Sequence, residues 1–258
     1  MSLLLSGLPL WAEMLILVIA PTIAAMAGPI LLRRWSSYER LSTNNEIAGF
    51  KFATVGVIYS VLVAFAVIVV WEKFNDAEAA VVQEAGAADT LYRLTAGPEP
   101  AIVAARAALG EYLHAAVERE WPAMALKKSS REAAQALDVL YGAALRVASE
   151  GSRQPGVLSE MFKQLDSLTQ ARRARLHLAA GVVPGIVWLV LVCGAVLTVG
   201  FTFFFGARNL PAQVTMTGVL SFLVFMALMV IVSINHPFTG PSSVDSEPLR
   251  SLIEDFGR

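Results

Sequence analysis

Between Phe52 and Trp71 the chain runs twenty residues without a charge, FATVGVIYSVLVAFAVIVVW. That is the length an α-helix needs to cross the hydrocarbon core of a bilayer. Placed at 100° per residue, Gly49, Ala53, Gly56, Ser60, Val63 and Val67 fall on one narrow face of this helix, and four of the six are small. Small residues at such spacing let a second helix approach closely in lipid, so the stripe is expected to line a pore or to pack against another helix. Glu46 lies in the first turn, where the helix dipole favours an anion. Beyond Trp71 the helical pattern continues with a surface expected to be acidic, through Glu72, Asp76, Glu78 and Glu84.

The rest of the composition fits a membrane chain with a polar insert. Hydrophobic residues make up 56% of the chain and charged ones 16%, against roughly 25% charged in ordinary soluble domains. Of the 41 acidic and basic residues, 27 fall between Glu72 and Arg175. Four segments are long and apolar enough to span: Leu8 to Leu32, Phe52 to Trp71, Leu178 to Phe205 and Val214 to Ile234. The first has no Lys or Arg before Arg33 and too long an apolar stretch for a signal peptide, so it is expected to be a true span. The expected division is residues 1–71 for spans one and two, 72–175 for a soluble helical domain, 176–234 for spans three and four, and 235–258 for a C-terminal tail. A net charge of −1 argues against a nucleic-acid partner, which needs a basic face. The single cysteine, Cys193, forbids an intrachain disulfide or a thiolate metal cluster.

Taken in order, the first span carries Glu13, expected to snorkel or meet solvent, and a Gly28-Pro29 pair expected to kink or end it. Arg33-Arg34-Trp35 reads as an interfacial anchor, and Ser42 to Asn45 as caps for the central helix. In the middle region Gly97 to Pro100 marks a break. A helix then carries Ile102, Leu109, Leu113 and Ala116 on one face, and Trp121-Pro122 is expected to stop it. A third helix runs from about Ser129 to Ala148. A fourth bears Leu158, Met161, Leu165 and Leu168 and is expected to continue through Arg172, Arg173 and Arg175 into span three without a break, with Pro184 bending that span. The short 206–213 loop makes spans three and four a hairpin. The tail around His236-Pro237-Phe238 is turn-rich and ends in a short docking helix with Leu249, Leu252 and Ile253.

Residues with chemical potential are few. Glu111 and His114 have the Glu-x-x-His spacing of carboxylate-bridged metal bundles, with Glu118 on the same face. Such sites need a second copy and further carboxylates, so a solvated face is expected, and neither metal nor cofactor. Met216, Met226 and Met229 are expected to face lipid or pack in the core rather than to form a thioether metal site. Glu72 and Asp76, at i and i+4, are candidates with Glu46 for the charge at a pore mouth. No nucleophile–base set or phosphate loop is present, so no enzyme is expected.

Four stretches carry a family resemblance. They are Gly49-Phe50-x-Phe52-Ala53-x-x-Gly56 through Trp71-Glu72 to Glu84-Ala85; Tyr112 with Glu120-Trp121-Pro122-Ala123-Met124; Arg173 through Pro184 and Trp188; and His236-Pro237-Phe238-Thr239-Gly240. In this order they resemble a bacterial membrane family described as bestrophin-like. The resemblance implies an all-α membrane protein with four transmembrane helices and a helical soluble domain between spans two and three. It also implies a homo-oligomer, a pentamer, in the bacterial inner (plasma) membrane, in contact with lipid and passing small ions, with the soluble domain and both termini cytosolic. No acidic cluster matches the calcium clasp of true bestrophins. The short-loop basic residues favour the opposite orientation, while Arg172, Arg173 and Arg175 flank span three on the other side. The competing reading is a non-conducting scaffold or sensor whose soluble helices bind a partner, with the small-residue stripe as a dimer seam.

Overall fold

A computed structural model of the chain describes residues 9–35, 41–43, 45–151, 153–181, 183–240 and 242–256. Leu8, Asn44 and Pro241, which figure in the expected first span, helix cap and tail, lie outside them. The fold is all-α, with no strand among the described residues and four helices long and apolar enough to cross a membrane. We number the helices α1 (Leu10–Trp35), α2 (Asn45–Leu94), α3 (Pro100–Ala115), α4 (Trp121–Ala125), α5 (Arg131–Ser149), α6 (Pro155–Ala179), α7 (Gly185–Phe201), α8 (Leu210–Ile234) and α9 (Glu247–Phe256). The chain divides into two compact units. One comprises Met1–Glu72 with Val182–Asn235, the other Lys73–Gly181 with His236–Arg258.

In the first unit α1 packs chiefly along α8. Pro29 does not end α1, which runs on to Trp35. One missing ladder bond is tolerated in a span where neighbouring groups re-satisfy the backbone. At Gly28 the ring of Phe203 occupies the space a Cβ would fill. Glu13 neither snorkels nor meets solvent. It is fully buried, and its Oε2 accepts a hydrogen bond of 2.8 Å from Ser233 Oγ. The start of α2 is clasped to the α7–α8 loop through a reciprocal pair: Asn45 Nδ2 donates to Gly206 O at 2.6 Å and Gly206 N to Asn45 Oδ1 at 3.0 Å. Within this unit α2 rests on one stripe, Tyr59, Ala66 and Val70, with Tyr59 seated against Gly194 of α7 and its hydroxyl donating to Leu191 O at 3.2 Å.

In the second unit α3 packs against α5. The core joins Ile102, Leu109 and Leu113 of α3, Leu137, Leu140 and Val147 of α5, Met161, Leu165 and Leu168 of α6, and Leu249 of α9. Ser130 caps α5, its Oγ accepting from Ala133 N at 3.3 Å. Two expected boundaries are corrected. Trp121-Pro122 does not stop the second helix. A π turn, Ala116–Glu120, carries the chain into α4. The proline ring would clash with the carbonyl four residues back, and the wider turn, closed by Trp121 N–H on Ala116 O, makes room for it. Conversely, α6 does not run unbroken into span three. It ends at Ala179, Gly181 adopts φ +96°, and Pro184 is the N-cap of α7 rather than a bend within it. A positive-φ glycine followed by a proline is a common helix stop.

A side chain at residue 194 has no room while Tyr59 occupies the site. Gly194→Leu is therefore expected to cost about 1–3 kcal/mol through overpacking. It should be seen as a lowered midpoint of thermal unfolding in detergent, and Tyr59→Ala in the same chain should restore part of the loss.

Candidate functional site

The geometry of α2 in the first unit is one-sided. Counting 100° per residue from Tyr59 at the centre of its packed stripe, Gly49, Ala53, Gly56, Ser60, Val63 and Val67 cluster about 80° to one side. Ala53 and Ser60 are exposed, the other four half-buried, and a Cβ at Gly56 would meet nothing within 4 Å. Ile58, Leu62, Phe65 and Val69 lie about 90° to the other side, all exposed. Phe50, Val57, Val61 and Ile68 lie within about 20° of directly opposite and are exposed as well, Phe50 to 79%. The helix thus presents one packed edge, one small flank, one bulky flank and one bulky apolar face. Glu46 and Glu72 are exposed at the two ends of the apolar run, each about 140° from the packed edge. Asp76 is exposed but held by Lys73 Nζ at 2.8 Å.

In the second unit the stripe on α2 continues at the same three-and-four spacing through Ala77, Val81, Glu84, Ala88 and Leu91, all buried. Glu84 is therefore a core residue and not part of an acidic surface. On α6 the buried stripe Met161, Leu165 and Leu168 continues through Arg172, Arg175 and Ala179 in the same register. These charges meet. Arg175 donates from Nε to Glu84 Oε2 at 2.7 Å and from Nη2 to Glu84 Oε1 at 2.9 Å and Glu120 Oε2 at 3.0 Å. Arg172 grips Glu120 side-on, at 3.0 Å from Nε and 2.5 Å from Nη2. Tyr112 donates its hydroxyl to Glu84 Oε1 at 2.5 Å. Arg175 Nη1 reaches Met124 Sδ at 3.1 Å, and its guanidinium carbon lies 4.7 Å over the Trp121 ring.

Two guanidiniums against two carboxylates leave the cluster neutral, which is how buried charge is tolerated. Burial works against the charge of Arg175, but Glu84 and its hydrogen bonds outweigh that and hold its pKa raised. Burial and the Glu84 carboxylate push the Tyr112 hydroxyl well above its ordinary range, so it stays a donor. The π turn fixes the geometry. Tyr112 and Glu120, eight residues apart, would sit about 80° apart on a regular α-helix, and absorbing one residue brings them within about 20°.

Other expected residues lie apart from this cluster. Glu111, His114 and Glu118 are exposed, with His114 Nδ1 3.7 Å from Glu118 Oε1. His236 is buried, and desolvation followed by Lys127 lowers its pKa to about 4. Its neighbour Phe238 meets Trp121 edge-on at 5.7 Å, and Thr239 Oγ1 donates to Ala125 O at 3.3 Å. Sequence reasoning left Glu84, Glu120, Arg172 and Arg175 unconnected. The available signal was their placement: charged residues occupying core positions of otherwise apolar stripes.

The family model of the bestrophin-like domain matches residues 19–249. The chain belongs to the bestrophin-like family. Among curated proteins none matches significantly. Solved structures share the fold. A variant of a bacterial bestrophin homologue from Klebsiella pneumoniae has 15% identity and a TM-score of 0.73, with 93% of this chain and 97% of that one covered. A second variant of that homologue has 16% identity and a TM-score of 0.71, covering 92% and 96%. A structure described as a membrane protein has 16% identity and a TM-score of 0.73 at the same coverage. Within this family frame, the stretches that carried the resemblance converge: Glu84, Tyr112, Glu120, Trp121 and Met124 meet around Arg175, and the His236 to Gly240 turn packs on the same tryptophan.

Removing one partner of a buried ion pair costs about 3–5 kcal/mol, because the other charge is left uncompensated. Arg175→Met is expected to lose that much, whereas Arg175→Met combined with Glu84→Gln recovers a large part. Unfolding curves of the full-length protein in detergent measure both.

Proposed function

We propose that the protein is an oligomeric ion channel of the bestrophin type, with α2 of each subunit around a central pore. The carrying observation is the one-sided burial of α2 along its apolar run. In a cyclic ring each subunit offers one flank to its neighbour on one side and the other flank to its neighbour on the other. The small flank, Gly49 through Val67, is the hole into which the bulky flank of the next α2 fits, so in this arrangement the stripe packs helices. Phe50, Val57, Val61 and Ile68 then face the axis and gate by width and wetting. Glu46 and Glu72 stand at the two mouths and draw cations there, while Asp76 is held aside by Lys73. The ring is a homopentamer by family resemblance, set in lipid. An insert of polar helices between spans two and three, built on the second unit, completes this reading.

Two readouts test it. Purified protein in planar bilayers is expected to carry current, and Ile68→Ser is expected to raise it several-fold by wetting the constriction. Correctly assembled protein that carries no current under any voltage or salt gradient overturns the proposal. A mass measurement is expected to give four or five copies. A dimer leaves no axial hole and supports instead a scaffold with the small flank as its seam.

The second unit and both termini are placed in the cytosol of a bacterial inner membrane, on family resemblance. The charge count lends this orientation little, since Arg172 and Arg175 are neutralised in the core and only Arg173 of the three is exposed. The short loops with Arg33, Arg34, Lys51 and Arg208 lean the other way. With Cys193→Ala as background, Ser149→Cys is expected to react with an impermeant maleimide only after cells are opened. Reaction in intact cells reverses the orientation.

A further inference from the structure

An open cavity of about 370 Å³ lies in the second unit between α3, α9 and the end of α2. Its floor is a stacked aromatic pair with a guanidinium over the tyrosine ring. Tyr92 and Phe256 lie parallel, with ring centroids 3.6 Å apart, and the guanidinium carbon of Arg106 sits 4.7 Å from the Tyr92 centroid. Phe256 covers one face of the tyrosine, so the guanidinium takes the other. Stacking engages the flat face of a guanidinium and leaves its five N–H donors pointing outward in the plane. Those of Arg106 are unspent. It makes no hydrogen bond and no ion pair with any described residue, and its Nε is buried without an acceptor. The remaining walls include Val103, Ile253 and His114, so among the described residues the lining holds a fixed positive charge and no carboxylate.

A half-buried cation whose Nε lacks an acceptor favours an anion, and the aromatic and aliphatic walls ask for an apolar body attached to it. We propose that this cavity binds a small amphiphilic carboxylate, the carboxylate on the outward donors of Arg106 and the apolar part along the Tyr92–Phe256 edge. A volume at the low end of the range for ligand sites favours a compact organic acid over a two-chain lipid. The site is separate from the proposed pore, and its test does not depend on conduction.

The probes are phenylacetate and its neutral isostere phenylacetamide, titrated calorimetrically into the full-length protein in detergent. Phenylacetate is expected to bind saturably and the amide at least about tenfold more weakly, since a charge-assisted hydrogen bond is lost. Arg106→Gln is expected to abolish that preference, and Arg106→Lys to keep part of it. Failure of phenylacetate to bind, equal binding of acid and amide, or an acid preference that survives Arg106→Gln overturns the proposal. The acid-to-amide comparison on the unaltered chain decides it even where the Gln variant does not fold.

Discussion

The fold of the second unit depends on one guanidinium. Arg175 sits where an apolar residue would sit in the α6 stripe, fully buried, and holds Glu84 of α2 and Glu120 of the α3–α4 turn at once. A leucine at this position would pack against whatever surface was offered. A planar fork with fixed donor directions accepts one rotation and one height of each partner helix. The cluster is therefore better understood as a device for uniqueness than as a source of net stability, since desolvating two ion pairs returns little overall. Tyr112, Trp121 and Met124 fill the remaining directions around it, so that the polar centre is closed off by the same residues that begin the apolar core.

The two stretches of α2 solve different problems with the same spacing. Up to Val70 its inward stripe is apolar and carries one hydroxyl, on Tyr59, bonded to a carbonyl of α7. From Ala77 onward the inward stripe admits a full charge because partners are present to meet it. A hydrocarbon environment offers no water to an unpaired polar group, so polar residues there are few. Glu13 shows the cost, a buried carboxyl group in the first span held by one hydroxyl, that of Ser233.

Much of the architecture was legible from length and spacing. Uncharged runs of about twenty residues marked the four candidate spans, and the three-and-four repeats of Ile102 to Ala116 and of Leu158 to Leu168 marked buried stripes that the structure places in one core. Prolines misled in both directions. Pro29 and Pro122 lie within continuing helical paths, whereas Pro184, expected as a bend, begins a new helix. A proline stops a helix only when nothing nearby absorbs the lost bond, and that is decided by neighbours rather than by the residue. The charge cluster was hidden for a related reason. Its hydrogen-bonded partners are 28, 52, 55 and 91 residues apart along the chain, so no local window contains a bonded pair. Charges flanking an apolar run look like interfacial anchors until their partners are located.

The π turn at Ala116–Glu120 also couples residue count to residue identity. Pro122 requires the widened turn, and the widened turn consumes the one extra residue that brings Glu120 round to Arg175. A chain in which residue 122 became an ordinary helix former could close a regular ladder, and Glu120 would then swing by about 100° away from the cluster. A deletion of one residue between Tyr112 and Glu120 with the proline kept would strain the backbone instead. Drift in this segment is therefore quantised: the proline and the length of the turn can change together, in a single concerted step, but neither can wander alone.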